Sequence, residues 1–166
     1  YSQFIIVALL FCLIGDVFLL SKSHFVFGLA SFLIAHVIFT LGFISIDGWK
    51  SYPLPLVSLL TVGAGYYLFM YNSLNELAIP VLFYFVFIIL MCWQGINLFI
   101  WRKEFVFKLI AIAVILFLIS DSIIALDKFK MSFEASGLLV LATYWISISL
   151  LANSTSALEK IAQNKV

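Results

Sequence analysis

Residues 105–126 read FVFKLIAIAVILFLISDSIIAL, a stretch with one cation, Lys108, near its start and one acid, Asp121, near its end. A run this long and this apolar matches the roughly 20 residues that an α-helix needs to cross the hydrocarbon core of a bilayer. Further runs of the same character cover Ser2–Leu20, Phe25–Ile46, Leu54–Tyr71, Ala78–Ile100 and Ser136–Ala152. The pattern predicts an all-α fold, a polytopic membrane bundle of about six transmembrane helices forming one unit over residues 1–152, with a polar tail over residues 153–166. The connections are short, so neighbours in sequence are expected to pack antiparallel.

Composition points the same way. The chain has 166 residues, 65% hydrophobic and 10% charged, and a mean hydropathy of +1.21, a balance that water-soluble domains do not carry. A net charge of +1 gives no electrostatic footprint for nucleic acid. Cys12 and Cys92 sit inside apolar runs without CxxC spacing, so they read as packing residues and not as a disulfide or thiolate metal site. Because the sequence opens on Tyr1 and enters an apolar run at once, helices upstream are expected.

Lysines and arginines alternate unevenly between the two sides. Lys50, Arg102, Lys103, Lys108, Lys160 and Lys165 fall on one, and Lys22, Lys128 and Lys130 on the other. Positive residues concentrate on the cytoplasmic side of membrane proteins. Both ends of the sequence are therefore expected to face the cytoplasm, as in a multi-pass protein of a bacterial inner membrane.

Asp16 and Asp121 are the only acids well inside apolar runs; the rest lie at ends, in loops or in the tail. An ionisable group there is costly, and points to function before structure. Each aspartate lies about five residues before its helix ends, and the two helices run in the same direction. At about 1.5 Å of rise per residue both sit at nearly one depth, toward the less positive face, where they could share a cavity. Leu13-Ile14-Gly15-Asp16 and Leu118-Ile119-Ser120-Asp121 also resemble each other, as the two halves of a parallel repeat would.

Two carboxyls in one poorly hydrated cavity can divide into a proton donor and an ionised base, the arrangement that hydrolysis through a cation-like transition state requires. Asp121 has hydroxyls beside it at Ser120 and Ser122 and a possible partner in Tyr144. Asp16 is flanked by Gly15 and Val17, which offer no side-chain donor. This neighbourhood suggests Asp121 as the base and Asp16 as the acid. His36 lies mid-membrane in the second helix, on one face with Gly28 and Phe32. Gln94 and Asn97 read as interhelical hydrogen-bond partners, and the tryptophans as belt or lipid-facing residues. Lys22, Lys128 and Lys130, with His24 nearby, are expected at the cavity mouth, where cations could hold a lipid phosphate. No cluster suited to a metal and no nucleotide-binding motif occurs, so no cofactor is expected.

Several of these elements together resemble the YhhN family of membrane lysoplasmalogenases. They are Gly15-Asp16-Val17-Phe18-Leu19-Leu20, then Phe25, Gly28, Phe32 and His36, and finally Ser120-Asp121-Ser122, Ala125, Phe129 and Thr143-Tyr144-Trp145. The resemblance covers most of the chain and implies a bundle of about eight helices in the intact family, with about two before Tyr1. It also implies an enzyme that hydrolyses the vinyl ether bond of lysoplasmalogens to a fatty aldehyde and glycerophospho-ethanolamine or -choline. Asp16 and Asp121 would be catalytic. His36, Tyr144, Ser120, Ser122, Gly28, Lys22 and Lys128 would contact substrate. The implied partners are the alkenyl-ether lysophospholipid, water and membrane lipids. Two positions depart from the family pattern: Phe39 stands where a tyrosine is expected and Ile148 where a glutamine is. Two other readings of membrane aspartates compete, an intramembrane aspartyl protease, suggested by Gly15-Asp16, and a proton-coupled small-molecule transporter, which would show broken helices beside the acids.

Overall fold

The computed structural model describes residues 1–163. Six α-helices follow one another: α1 (Ser2–Leu19), α2 (Phe25–Asp47), α3 (Pro53–Leu74), α4 (Ala78–Arg102), α5 (Phe105–Phe129) and α6 (Ser136–Gln163). By length and composition five stretches can cross a membrane, because Pro53–Arg102 is apolar throughout. A tight turn at Asn75–Leu77 divides that stretch into α3 and α4, which pack on each other as a hairpin. Large apolar side chains face outward over most of the surface, as on Leu54, Val62 and Leu68, an arrangement suited to lipid and not to water.

The helices α1, α2, α4, α5 and α6 form a closed ring, each packed on the next, and α3 lies outside against α4 with a brief contact on α5. Phe39, Phe43, Phe107 and Phe117 fill the ring and are wholly buried. Cys12 and Cys92 are also buried, and the Cys92 thiol donates to the Val114 carbonyl at 3.2 Å.

Antiparallel packing of sequence neighbours fails at one place, since α2 packs on α4 and not on α3. The cause is the α2–α3 loop. Gly48 ends α2 at a φ of +74°, a conformation natural to glycine. The Lys50 carbonyl then accepts from Gln94 Nε2 at 3.0 Å and Asn97 Nδ2 at 2.8 Å, and the Tyr52 carbonyl accepts from Trp93 Nε1 at 2.8 Å. Loop backbone near lipid needs partners of this kind. Gln94 and Asn97 therefore hold a loop and not a facing helix. Trp93 is buried, not a belt residue. With the loop fastened to α4, α3 is delivered to its far side.

Helix α6 does not stop at Ala152 but continues to Gln163. The polar residues that end the apolar run bond backward along the helix: Asn153 to the Ser149 carbonyl, Ser154 to Leu151 and Thr155 to Ala152. Leu158 and Ile161 pack against the core, and Tyr1 shares a hydrogen bond with Ser154.

Near Asp16 the first two helices approach closely. A β-carbon placed on Gly28 would lie 2.8 Å from Leu19 Cδ2 and 3.3 Å from the Gly15 carbonyl oxygen. Small residues allow such approach between membrane helices. Gly28→Val is expected to destabilise the protein by about 1–3 kcal/mol, the usual cost of overpacking. Thermal unfolding in detergent measures this, and an unchanged midpoint would mean that the contact is not tight.

Candidate active site

Asp16 and Asp121 line one cavity of about 580 Å³ between α1, α5 and α6, with Phe32 and Tyr144 beside them. Both helices are continuous past the acids. The cavity wall is largely apolar in its depth. Ser21, Asp127, Lys128 and Ser136 line it where α5, α6 and the α1–α2 connection reach the bilayer face.

Each carboxylate receives a hydroxyl from a different helix. Tyr144 on α6 donates to Asp16 Oδ2 at 2.9 Å. Tyr84 on α4 donates to Asp121 Oδ2. Tyr144 therefore pairs with Asp16, whereas the sequence neighbourhood had suggested Asp121. The serines beside Asp121 do not serve it either. Ser120 donates to the Val140 carbonyl at 3.2 Å and ties α5 to α6, while Ser122 donates to Leu118 within its own helix at 2.7 Å. Mid-helix serines commonly bond backward in this way.

His36 lies beside Asp121, with Nε2 3.7 Å from Oδ2. The ring is fully buried and held edge-on by Tyr84 and Phe117, each with its centroid 5.0 Å away. Neither ring nitrogen has a hydrogen-bond partner among the described residues. Buried polar atoms are seldom left so, which singles out His36 as a candidate site residue beside Asp121.

The remaining candidates divide. Lys128 lines the cavity, with Nζ 4.9 Å above the Phe25 ring. Lys130 does not: its Nζ donates to the Phe69 carbonyl on α3 at 3.2 Å. His24 is exposed and stacks near Phe18 and Phe27. Gly28 packs α2 on α1 and does not line the cavity. The side chain of Lys22 lies outside the described residues.

Tyr84 is the residue that sequence reasoning missed. Its signal was present. A tyrosine far from the belt, less than two turns into α4, must find a partner for its hydroxyl, and α4 enters from the face at which α5 ends. Matching depths across helices, as for the two aspartates, leads from Tyr84 to Asp121.

Membrane-length helices enclosing two carboxylates, each bonded to a tyrosine of another helix, define a multi-pass integral membrane protein with an intramembrane carboxylate pair. The chain belongs to the YhhN family, which it matches over residues 1–155. It is 32% identical over 160 residues to lysoplasmalogenase TMEM86A of Bos taurus, covering 90% of this chain and 64% of that protein. It is 34% identical over 108 residues to a lysoplasmalogenase homolog of Dictyostelium discoideum, covering 57% of this chain and 34% of that protein. The chain thus spans less than two thirds of the length of either relative. No solved structure matches it.

Proposed function

We propose that this protein hydrolyses the vinyl ether bond of lysoplasmalogens, using Asp16 and Asp121 as acid and base. The observation that carries the reading is the pair of carboxylates in one cavity that reaches a bilayer face. The names of the two relatives support the substrate class.

The chemistry needs a proton, a water and a means of tolerating positive charge. A carboxylic acid delivers its proton to the alkenyl carbon one removed from oxygen, and the ether becomes an oxocarbenium ion. The second carboxylate, ionised, stabilises that cation and takes a proton from water as the water oxygen bonds to the carbon attached to the ether oxygen. The resulting hemiacetal loses its hydroxyl proton to one carboxylate while the departing glycerol oxygen takes a proton from the other. Products are fatty aldehyde and glycerophospho-alcohol, and one water is consumed.

Each aspartate accepts one tyrosine hydroxyl, Tyr84 at Asp121 and Tyr144 at Asp16, and Asp121 alone also has an imidazole beside it, with His36 Nε2 3.7 Å away. Donors favour the ionised form. We keep Asp121 as the base and Asp16 as the proton donor, an assignment that rests on the polar His36 ring beside Asp121 instead of the neighbouring serines. At the mouth, Lys128 offers a cation to the lipid phosphate, and Asp127 an anion to an ethanolamine ammonium. The charge count between the two sides supports a cytoplasmic C-terminal end, with this mouth on the opposite face.

Purified protein incubated with an alkenyl lysophosphatidylethanolamine is expected to release free aldehyde, and to leave the ester analogue of the same chain length intact. Release of fatty acid from the ester, or no aldehyde from the vinyl ether, would overturn the reading.

A further inference from the structure

Asp121 borders two spaces besides the catalytic cavity. One is an apolar cavity of about 170 Å³ between α3, α4 and α5. The other is a cleft of about 60 Å³ that lies between the two larger spaces. It shares Leu19, Phe25 and Phe32 with the catalytic cavity and Val81, Tyr84 and Ala125 with the apolar one. The three lie side by side around Asp121, in an order that is polar at the bilayer face and apolar at its far end.

The far end is dry in character because its hydroxyls are already engaged. Tyr66 donates to the Ser122 carbonyl at 2.5 Å, Tyr67 to Ala78 at 2.9 Å and Ser122 to Leu118 at 2.7 Å. What remains is lined by Leu59, Val62, Ile88, Ile89 and Leu118, which lie deeper in the bilayer than Asp121. Val62, in the α3 wall of the cavity, is 74% exposed and so also faces lipid.

We propose that this α3–α4–α5 cavity receives the hydrocarbon chain of the lysolipid, and that Ala125 sets the width of the way past Asp121. The assignment rests on the lysoplasmalogenase reading for its ligand, and on the walls that the three spaces share around Asp121 for its place. It explains why α3 stands outside the ring of five helices: it is the wall of the chain site. A lysolipid seated this way has its head group near Lys128 and its first chain carbons, where the vinyl ether lies, beside the two aspartates. A long chain in a shaped apolar site is read carbon by carbon, since each buried methylene contributes roughly fourfold or more of discrimination.

Two measurements test this. The first uses full-length protein in detergent with a non-cleavable 1-O-hexadecyl lysophosphatidylethanolamine carrying a diazirine at the chain terminus. Photolysis is expected to label Leu59, Val62, Ile88 or Ile89, and excess unlabelled lysolipid is expected to compete. Labelling of α1 or α6 instead, or labelling that lysolipid does not compete, as for a bulk lipid in the groove, would overturn the proposal. This arm needs no turnover, so it stands apart from failure of the hydrolase reading. The second arm compares chain lengths. Ala125→Phe is expected to lower the ratio of kcat/KM for an 18-carbon to a 10-carbon alkenyl substrate by roughly tenfold or more. Leu59→Trp, at the far end, is expected to lower the same ratio by closing only the last part of the site. A ratio unchanged in both variants would overturn the assignment.

Discussion

Asp121→Asn is expected to leave only a slow residual turnover, a loss of about 10²–10⁴ in kcat/KM, the usual contribution of a positioned acid or base. Asparagine keeps the size of the side chain and can still meet the Tyr84 hydroxyl, but it can neither take a proton from water nor oppose a developing cation with a full charge. Asp16→Asn is expected to fall by a similar factor for a different reason, since an amide cannot deliver the proton that starts the reaction. The two losses are not expected to add, because both groups serve one sequence of steps. Binding separates catalysis from folding. Both variants should bind a non-cleavable lysolipid with a Kd within a few-fold of the parent protein, as judged by the competition of photolabelling. The roles separate in the residual activity. The alkaline limb of the pH profile belongs to the group that must be protonated, so it should disappear in Asp16→Asn and persist in Asp121→Asn. The reverse pattern would exchange the two roles, and full activity in either variant would remove that carboxylate from the mechanism.

The helices were legible because the bilayer imposes a length and a solvent, and both leave direct marks in hydropathy. The expected ends of α1, α2, α4 and α5 fall within a few residues of the observed ones. The end of α6 was illegible for a physical reason. Hydropathy reports the membrane, not the helix, and Asn153–Ser156 ends the apolar run without ending the hydrogen-bonded ladder, which its polar side chains decorate. The order of packing was likewise hidden, because the bonds that fasten the Lys50 loop to α4 come from three side chains more than forty residues away in sequence.

In the site, the aspartates stood out because charge in hydrocarbon is rare and costly. Their partners did not. Which hydroxyl meets which carboxylate depends on helix rotation and on the order of helices in the ring, and neither is written in the residues adjacent to the acid. Ser120 and Ser122 flank Asp121 in sequence yet turn their hydroxyls to backbone carbonyls, while Tyr84 and His36 arrive from α4 and α2. Sequence proximity was therefore a poor guide to donors. Matched depth, which placed the two aspartates in one cavity, was the better one.

Tyr84→Phe is expected to lower kcat by about 10², the scale seen when one preorganised donor is removed from a site that stabilises charge. The substitution deletes only an oxygen. The ring remains against His36 at the same 5.0 Å centroid distance, so core packing should be preserved and the melting temperature little changed. What is lost is the hydroxyl bonded to the Asp121 carboxylate, the group that in the proposed mechanism holds water against the oxocarbenium carbon. Because Tyr84 acts through Asp121, substrate binding should survive: kcat should fall while KM stays within a few-fold. Tyr144→Phe provides the comparison. It removes the corresponding donor from Asp16, whose work is to give up a proton and not to remain ionised, so its effect on kcat should be smaller than that of Tyr84→Phe. Steady-state kinetics of the two variants on one alkenyl substrate decide the matter. Equal losses would mean that the tyrosines serve only to hold the helices together, and a rise in KM without a fall in kcat would place Tyr84 in substrate binding instead.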